Sequence, residues 1–282
     1  MHRFFIAPDL LKETNTEISL PKELAHQVRD VLRLASGEQL LLLDNSGNEV
    51  VAEVASTSRT GVDVHLVERR PGKSESPVRI ILCQGLLKSA RFEWILEKGT
   101  ELGVSIFSPI LCRRSMAGLE DAGPAKLARW KRILQEAAEQ CGRSHMPELL
   151  PIRPLMHALK DIPDGAIALM PWEEEHSRSL REALTSHVGA GADVEAGRGP
   201  LWPPAPGDET GSSAHFNSSP KNSALATTTV VLFIGPEGGL MAEEVALAQR
   251  HGVQVVSLGS RILRAETAAL TAVANVMYEL GG

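Results

Sequence analysis

The stretch VVLFIGPEGGL, Val230 to Leu240, and the stretch VVSLGSRILRAETAAL, Val255 to Leu270, together decide the fold. Each opens on an apolar run without alternation, the pattern of a strand buried on both faces. Each run then breaks at a glycine and passes straight into a helical pattern. Strands of this kind belong to a parallel sheet covered by helices. Two such turns on neighbouring strands meet at the carboxyl edge of the sheet, where α/β proteins take small ligands.

The first turn, Gly235-Pro236-Glu237-Gly238-Gly239, holds three glycines and a proline in five residues. Such a composition allows positive φ and lets a ligand approach the main chain. Glu243 and Glu244 fall in the first turns of the following helix. The spacing matches neither a dinucleotide fingerprint nor a P-loop, and no lysine follows, so a backbone-lined pocket is expected in place of a phosphate cradle. A plain strand-to-helix turn is the competing reading. In the second turn, Gly259, Arg261 and Arg264 precede a helix whose small apolar face runs Ala268, Thr271, Ala272, Asn275, Val276. A face that small predicts close packing.

Working outward, residues 1–72 show short alternating runs, Gln39 to Leu43, Glu49 to Ala55 and Gly61 to Val67, which predict a small β-barrel with one helix. In that helix Leu24, Val28 and Val31 share one face, and His26, Arg29 and Arg33 share another. A proline-bearing joint, Arg69 to Pro77, separates this unit from residues 73–282. There the pattern becomes strand (Val78 to Cys83), helix (about Ala90 to Leu102), strand (Ile106 to Leu111), helix (Ala125 to Gln140), strand (Ala166 to Met170), and so on, implying a parallel sheet with helices on both faces. In the first of these helices Trp94, Ile95 and Leu96 read as core, and Glu97, Lys98 and Glu101 as a locally paired face. An insertion near 187–228, rich in Gly, Ala, Ser, Pro and Asn and with only Trp202 and Phe216 as aromatics, reads as disordered.

With 282 residues and 43% hydrophobic content, the chain allows two domains with ordinary cores. No apolar run is long enough to span a bilayer and the amino terminus lacks a signal-peptide pattern, which predicts a cytoplasmic protein. Cys83, Cys112 and Cys141 are odd in number and far apart, so buried free thiols are expected and neither disulfides nor a metal site. A net charge of −6 argues against a nucleic-acid partner. Residues 113 to 143 nonetheless hold seven cations against four anions, so a basic groove on an acidic protein remains open.

The two turns, with HRFF (His2 to Phe5), HQVRDVLRL (His26 to Leu34), GEQLLLLDNSG (Gly37 to Gly47), QGLLKSARFEWILEKGTELGV (Gln84 to Val104) and EAAEQCGRSHMPEL (Glu136 to Leu149), resemble the SPOUT-class RNA methyltransferases. The blocks follow in the order of the bacterial family that methylates N3 of a uridine in 16S rRNA. The resemblance implies an α/β fold with a trefoil knot in its carboxy-terminal part, a PUA-like β-barrel over residues 1–72 and a SPOUT methyltransferase domain over 73–282. It implies a homodimer built on the last helix, and the small ribosomal subunit as partner.

The cofactor implied is S-adenosylmethionine, held by Met170, Pro171 and Trp172, by Gly235, Pro236, Glu237, Gly238 and Gly239, and by Leu258, Gly259, Ile262 and Leu263, with Thr267 beside them. RNA contacts would come from Arg3, Arg29, Arg33, Arg114 and Arg143. Methylating N3 requires loss of the imide proton, hence a base or a group that stabilises the uracil anion. Arg264 is placed to stabilise the anion or grip a phosphate. Glu266 would orient that arginine, accept a proton or form a salt bridge shaping the turn. A SPOUT enzyme acting on another RNA atom, and a non-catalytic RNA-binding assembly factor, stay open as alternatives.

Overall fold

The alternating runs at the amino terminus pair into one sheet in the computed structural model, which describes residues 1–115, 118, 123–188 and 228–281. Its strands are β1 (Arg3–Phe5), β2 (Glu17–Ser19), β3 (Gln39–Leu43), β4 (Asn48–Thr57) and β5 (Val62–Pro71), in the order β1-β3-β4-β5-β2. Leu40, Leu42, Val50, Ala52, Val54, Val62 and Val64 supply its core together with Leu24 and Val28. At three residues each, β1 and β2 are too short for a periodic signal.

The helical segment departs from the expected stripes. Helix α1 (Lys22–His26) passes into a π turn over Gln27–Val31, and the extra residue per turn rotates everything after it. Val31 is therefore 66% exposed and not on the Leu24 and Val28 face. Arg33 sits beyond the helix at φ 56°, with Leu34 N donating to Val28 O across it at 3.0 Å. This is a left-handed helix stop. His26 and Arg29 both turn to Asp30, whose carboxyl they hold well below its usual range.

The second sheet contains β6 (Val78–Gly85), β7 (Val104–Leu111), β8 (Glu148–Leu149), β9 (Arg153–Pro154), β10 (Ile167–Pro171), β11 (Thr228–Ile234) and β12 (Gln254–Val256). Its order is β12-β10-β11-β6-β7-β8, with β9 also on β7, and every pairing is parallel. Alternate residues feed two cores, as a doubly covered sheet requires. Ile80, Leu82, Leu232 and Ile234 face helices α2 (Ser89–Glu101), α3 (Pro124–Cys141), α5 (Leu180–Val188) and α7 (Ala265–Leu280). Ile81, Cys83, Val231 and Phe233 face α4 (Leu155–Lys160) and α6 (Ala242–Arg250).

Two readings of helix faces need correction. Helix α2 buries Phe92, Ile95, Leu96, Gly99 and Thr100, and this spacing leaves Trp94 45% exposed and outside the core. Helix α7 buries Ala269, Ala272, Val273 and Val276 against the sheet, while Asn275 is exposed. Ala272 thus belongs to the interior of its own chain. Lys98 pairs with Glu97 and Glu101, both at 2.8 Å, as expected for a solvated face.

Polar contacts tie the two sheets together. Phe5 N donates to Glu139 Oε1 at 3.0 Å, and burial pushes the Glu139 carboxyl above its ordinary pKa. Glu75 accepts from Ser144 N and His145 N, both at 3.1 Å, and from Arg143 Nη2 at 3.0 Å. Arg143 is 7% exposed and also donates to Val104 O at 2.6 Å. Its assignment to RNA binding is therefore corrected: the charge is spent on an interior ion pair, where loss of one partner is strongly destabilising. The disordered insertion expected near 187–228, with Trp202 and Phe216, lies outside the described residues except at its ends.

Candidate active site

At the carboxyl ends of β10, β11 and β12 the chain forms a cleft of about 500 Å³, within the range of small-ligand sites. Three segments line it: Pro171, Trp172, Glu173 and His176 after β10; Ile234 to Leu240 after β11; and Ser257 to Ala265 after β12, with Ala268 of α7. This is the edge that the two opening turns predict. Eleven of the expected cofactor residues meet here: Pro171, Trp172, Gly235, Pro236, Glu237, Gly238, Gly239, Leu258, Gly259, Ile262 and Leu263.

Two others do not line the cleft. Met170 is fully buried in the core beneath the sheet, because the inward phase of β10 assigns it there. Thr267 lies one helical step inside α7, exposed and outside the lining.

The glycine turn is seated by close packing. A Cβ on Gly85, the last residue of β6, would lie 2.5 Å from Pro236 N. One on Gly238 would lie 2.9 Å from Arg114 Cβ. Gln84 Nε2 donates to Gly235 O at 3.3 Å, and Arg114 Nη1 to Gly238 O at 3.0 Å. Helix α6 starts beneath the turn with Glu244, which is 7% exposed, accepting from Met241 N at 2.9 Å and from Arg113 N at 2.8 Å. Gly259, at φ 118° with open space around it, is needed for its conformation.

Arg264 is the residue before α7, exposed, and its side chain makes no hydrogen bond or ion pair with any described residue. Glu266 does not pair with it. Its Oε1 instead lies 3.7 Å from Arg91 Nε, its Oε2 is buried without a partner, and Arg91 Nη1 reaches Glu237 Oε1 at 2.9 Å. A local salt bridge between Arg264 and Glu266 is thereby corrected, since α7 turns the carboxylate toward α2. Trp172 Nε1 is a further buried donor without a partner at the cleft wall.

Among the expected RNA contacts, Arg114 is exposed beside the glycine turn. Arg33 is exposed just past the π turn of the amino-terminal unit. Arg3 is half-buried, its Nε enclosed and without a partner, against Gly142. Arg29 commits its guanidinium to Asp30 and to the carbonyls of Ser58 and Arg59. Sequence reasoning missed Gly85, Gln84, Arg91, Glu173 and His176 as parts of the site. Only tertiary packing brings them to the turns.

Cys83 and Cys112 are buried free thiols and Cys141 is half-buried. Burial pushes the Cys83 thiol up to about 12. Among the described residues, no helix is long and apolar enough to cross a membrane, and no group of three or more His, Cys, Asp or Glu could hold a metal ion.

A parallel α/β sheet with a glycine-built cleft at its carboxyl edge defines a class of small-ligand or cofactor-binding proteins. The family described as RNA methyltransferase domain matches residues 74–195 and 208–277, and the chain belongs to this family. It is 31% identical over 284 residues to ribosomal RNA small subunit methyltransferase E of Bacillus subtilis, covering 99% of this chain and 97% of that protein. It is 30% identical over 276 residues to the protein of the same name from Synechocystis, covering 98% and 77% of the two chains. A crystal structure of ribosomal RNA small subunit methyltransferase E from Neisseria gonorrhoeae bound to S-adenosyl methionine superposes with a TM-score of 0.76 at 25% identity, covering 100% of this chain and 98% of that one.

Proposed function

We propose that this chain is an S-adenosylmethionine-dependent methyltransferase of N3 of a uridine in 16S rRNA of the small ribosomal subunit. The observation that carries the reading is the cleft built from the turns after β10, β11 and β12, with an unpaired arginine at its mouth. Three glycines stand in its wall after β11, a Cβ at Gly85 would displace that wall at Pro236, and Trp172 Nε1 is a buried donor with no partner among the described residues. These features fit S-adenosylmethionine, which when bound supplies a sulfonium methyl already activated for transfer.

The chain's own residues hold and orient. Pro171 and Trp172, Gly235 to Gly239, and Leu258 to Leu263 line the cleft and would hold the cofactor there. The N3 proton would pass to solvent water, Arg264 would stabilise the uracil anion so formed, and the anion's nitrogen would take the methyl as the sulfonium becomes a neutral thioether. Glu266 has one oxygen toward Arg91 and the other covered, so it acts on the site's shape and not as the proton acceptor. Exposed Arg114 beside the glycine turn receives RNA phosphate.

In this reading residues 1–72 form a PUA-like RNA-binding barrel and residues 73–282 a SPOUT domain with a trefoil knot. The working unit is a cytoplasmic homodimer. Ile262 and Tyr278, 85% and 80% exposed, supply apolar surface for a second copy. Sedimentation as a monomer at micromolar concentration would remove that part.

The test is calorimetry with S-adenosylmethionine, followed by methylation of 16S rRNA and of small subunits from cells lacking the protein, with the product mapped by mass spectrometry. Methyl on a ribose oxygen or another base atom refutes the N3 assignment, and no methyl refutes the enzyme. Arg264→Ala should bind cofactor as wild type and lose about 10²–10³-fold in kcat.

A further inference from the structure

Arg91 stands in the first turn of α2, outside both turns that build the cleft and outside its lining. Its guanidinium nonetheless reaches both. Nη1 is 2.9 Å from Glu237 Oε1, in the turn after β11, and Nε is 3.7 Å from Glu266 Oε1, in the first turn of α7. Glu237 belongs to the glycine turn, and Glu266 stands two residues after Arg264. One cation therefore spans the two walls.

Both carboxylates are more enclosed than the guanidinium between them. Side-chain exposure falls from 42% at Arg91 to 22% at Glu237 and 12% at Glu266. Glu266 Oε2 has no hydrogen-bond partner among the described residues. A carboxylate in that state depends on its remaining charge contact, so Arg91 is what keeps Glu266 tucked against α2. The planar guanidinium presents donors in several directions, whereas an ammonium is a single point charge.

We propose that Arg91 is a positioning residue that sets the spacing of the cleft walls, holding the glycine turn through Glu237 and the start of α7, with Arg264, through Glu266. This rests on the function proposed above. It assigns the glycine turn to cofactor affinity and the start of α7 to turnover, and makes both depend on a residue that touches neither cofactor nor RNA.

The test combines calorimetry of S-adenosylmethionine binding with steady-state methylation of 16S rRNA. Arg91→Ala should weaken cofactor Kd by about tenfold and lower kcat by a similar factor. Arg91→Lys should restore Kd through Glu237 while leaving kcat low, a split that a merely structural residue would not produce. In Glu237→Gln, adding Arg91→Ala should change Kd little further, because the shared contact is already gone. A folded Arg91→Ala with wild-type Kd and kcat overturns the proposal, as do additive effects on Kd in the double variant. If Arg91→Ala does not fold, Arg91→Lys and Glu237→Gln decide: wild-type kcat in the first and wild-type Kd in the second overturn it. A wild-type protein that fails to bind cofactor or to methylate would instead sink the function, a result read before any variant is made.

Discussion

Gly85→Ala is the sharpest probe of how the cleft is built. The added Cβ would lie 2.5 Å from Pro236 N, 2.8 Å from Gly235 C and 2.9 Å from Pro236 Cδ. Comfortable contact begins near ~3.5 Å, and the obstructing atoms are main chain and a proline ring with no rotamer to yield. The end of β6 and the glycine turn must separate by roughly 1 Å, an overpacking cost of about 1–3 kcal/mol. For a chain of this size that lowers Tm by about 2–4 °C per kcal/mol. If about 1.4 kcal/mol of that cost falls on the bound state, cofactor Kd should weaken about tenfold. Gly61→Ala is the control, because nothing lies within 4 Å of its Cβ, and it should stay within about 0.5 kcal/mol of wild type. Scanning calorimetry and titration with S-adenosylmethionine provide the readouts. Gly85→Ala with wild-type Tm and Kd would show that the turn is not seated on β6, and the packing argument would fail.

Other expectations follow from burial. Burial raises the Glu139 pKa above its unfolded value of 4.5, so the protonated form is favoured by folding and its contribution fades as pH rises through the folded value. Glu139→Gln, which keeps an acceptor for Phe5 N, should therefore melt higher than wild type at pH 7 and show no advantage at pH 4; equal gains at both values would contradict the sign. Cys83 and Cys112 should resist a thiol reagent at pH 8 until the protein unfolds, with Cys141 reacting first; fast native labelling of Cys83 would refute its burial. Ala272→Arg should unfold the chain, not merely dissociate it, because Ala272 is 0% exposed under the sheet and a buried unpaired charge is among the costliest substitutions; a folded monomer would restore the interface reading.

The strands and turns of the cleft were legible because each carries its own local signal, an apolar run ended by glycine. Most of the two glycine turns follow from that signal alone, whereas Pro171, after a run that no glycine ends, came only with the family resemblance. Arg91, Gln84 and Gly85 carry none, since their roles arise from pairing β6 with β11. Arg143 illustrates the opposite failure. An arginine after a helix looks like surface charge, and only the fold shows that Glu75, Thr100 and Val104 surround it. Helix α7 carries alanines on more than one face, so its sequence could not say which face lay on the sheet. In α1, one π turn was enough to undo the periodic reading of Val31 and Arg33.

The placement of β11 bears on how the chain is made. Among the described residues it is the strand that joins β10 to β6, yet it begins at Thr228, long after both have emerged in synthesis. Until then β6 and β10 each present an unpaired edge, the feature most prone to wrong partners. The amino-terminal sheet closes its pairings within residues 3 to 71 and can form first. The catalytic half must keep a gap open for its central strand, which predicts slow maturation and a window of vulnerability before the last helix arrives.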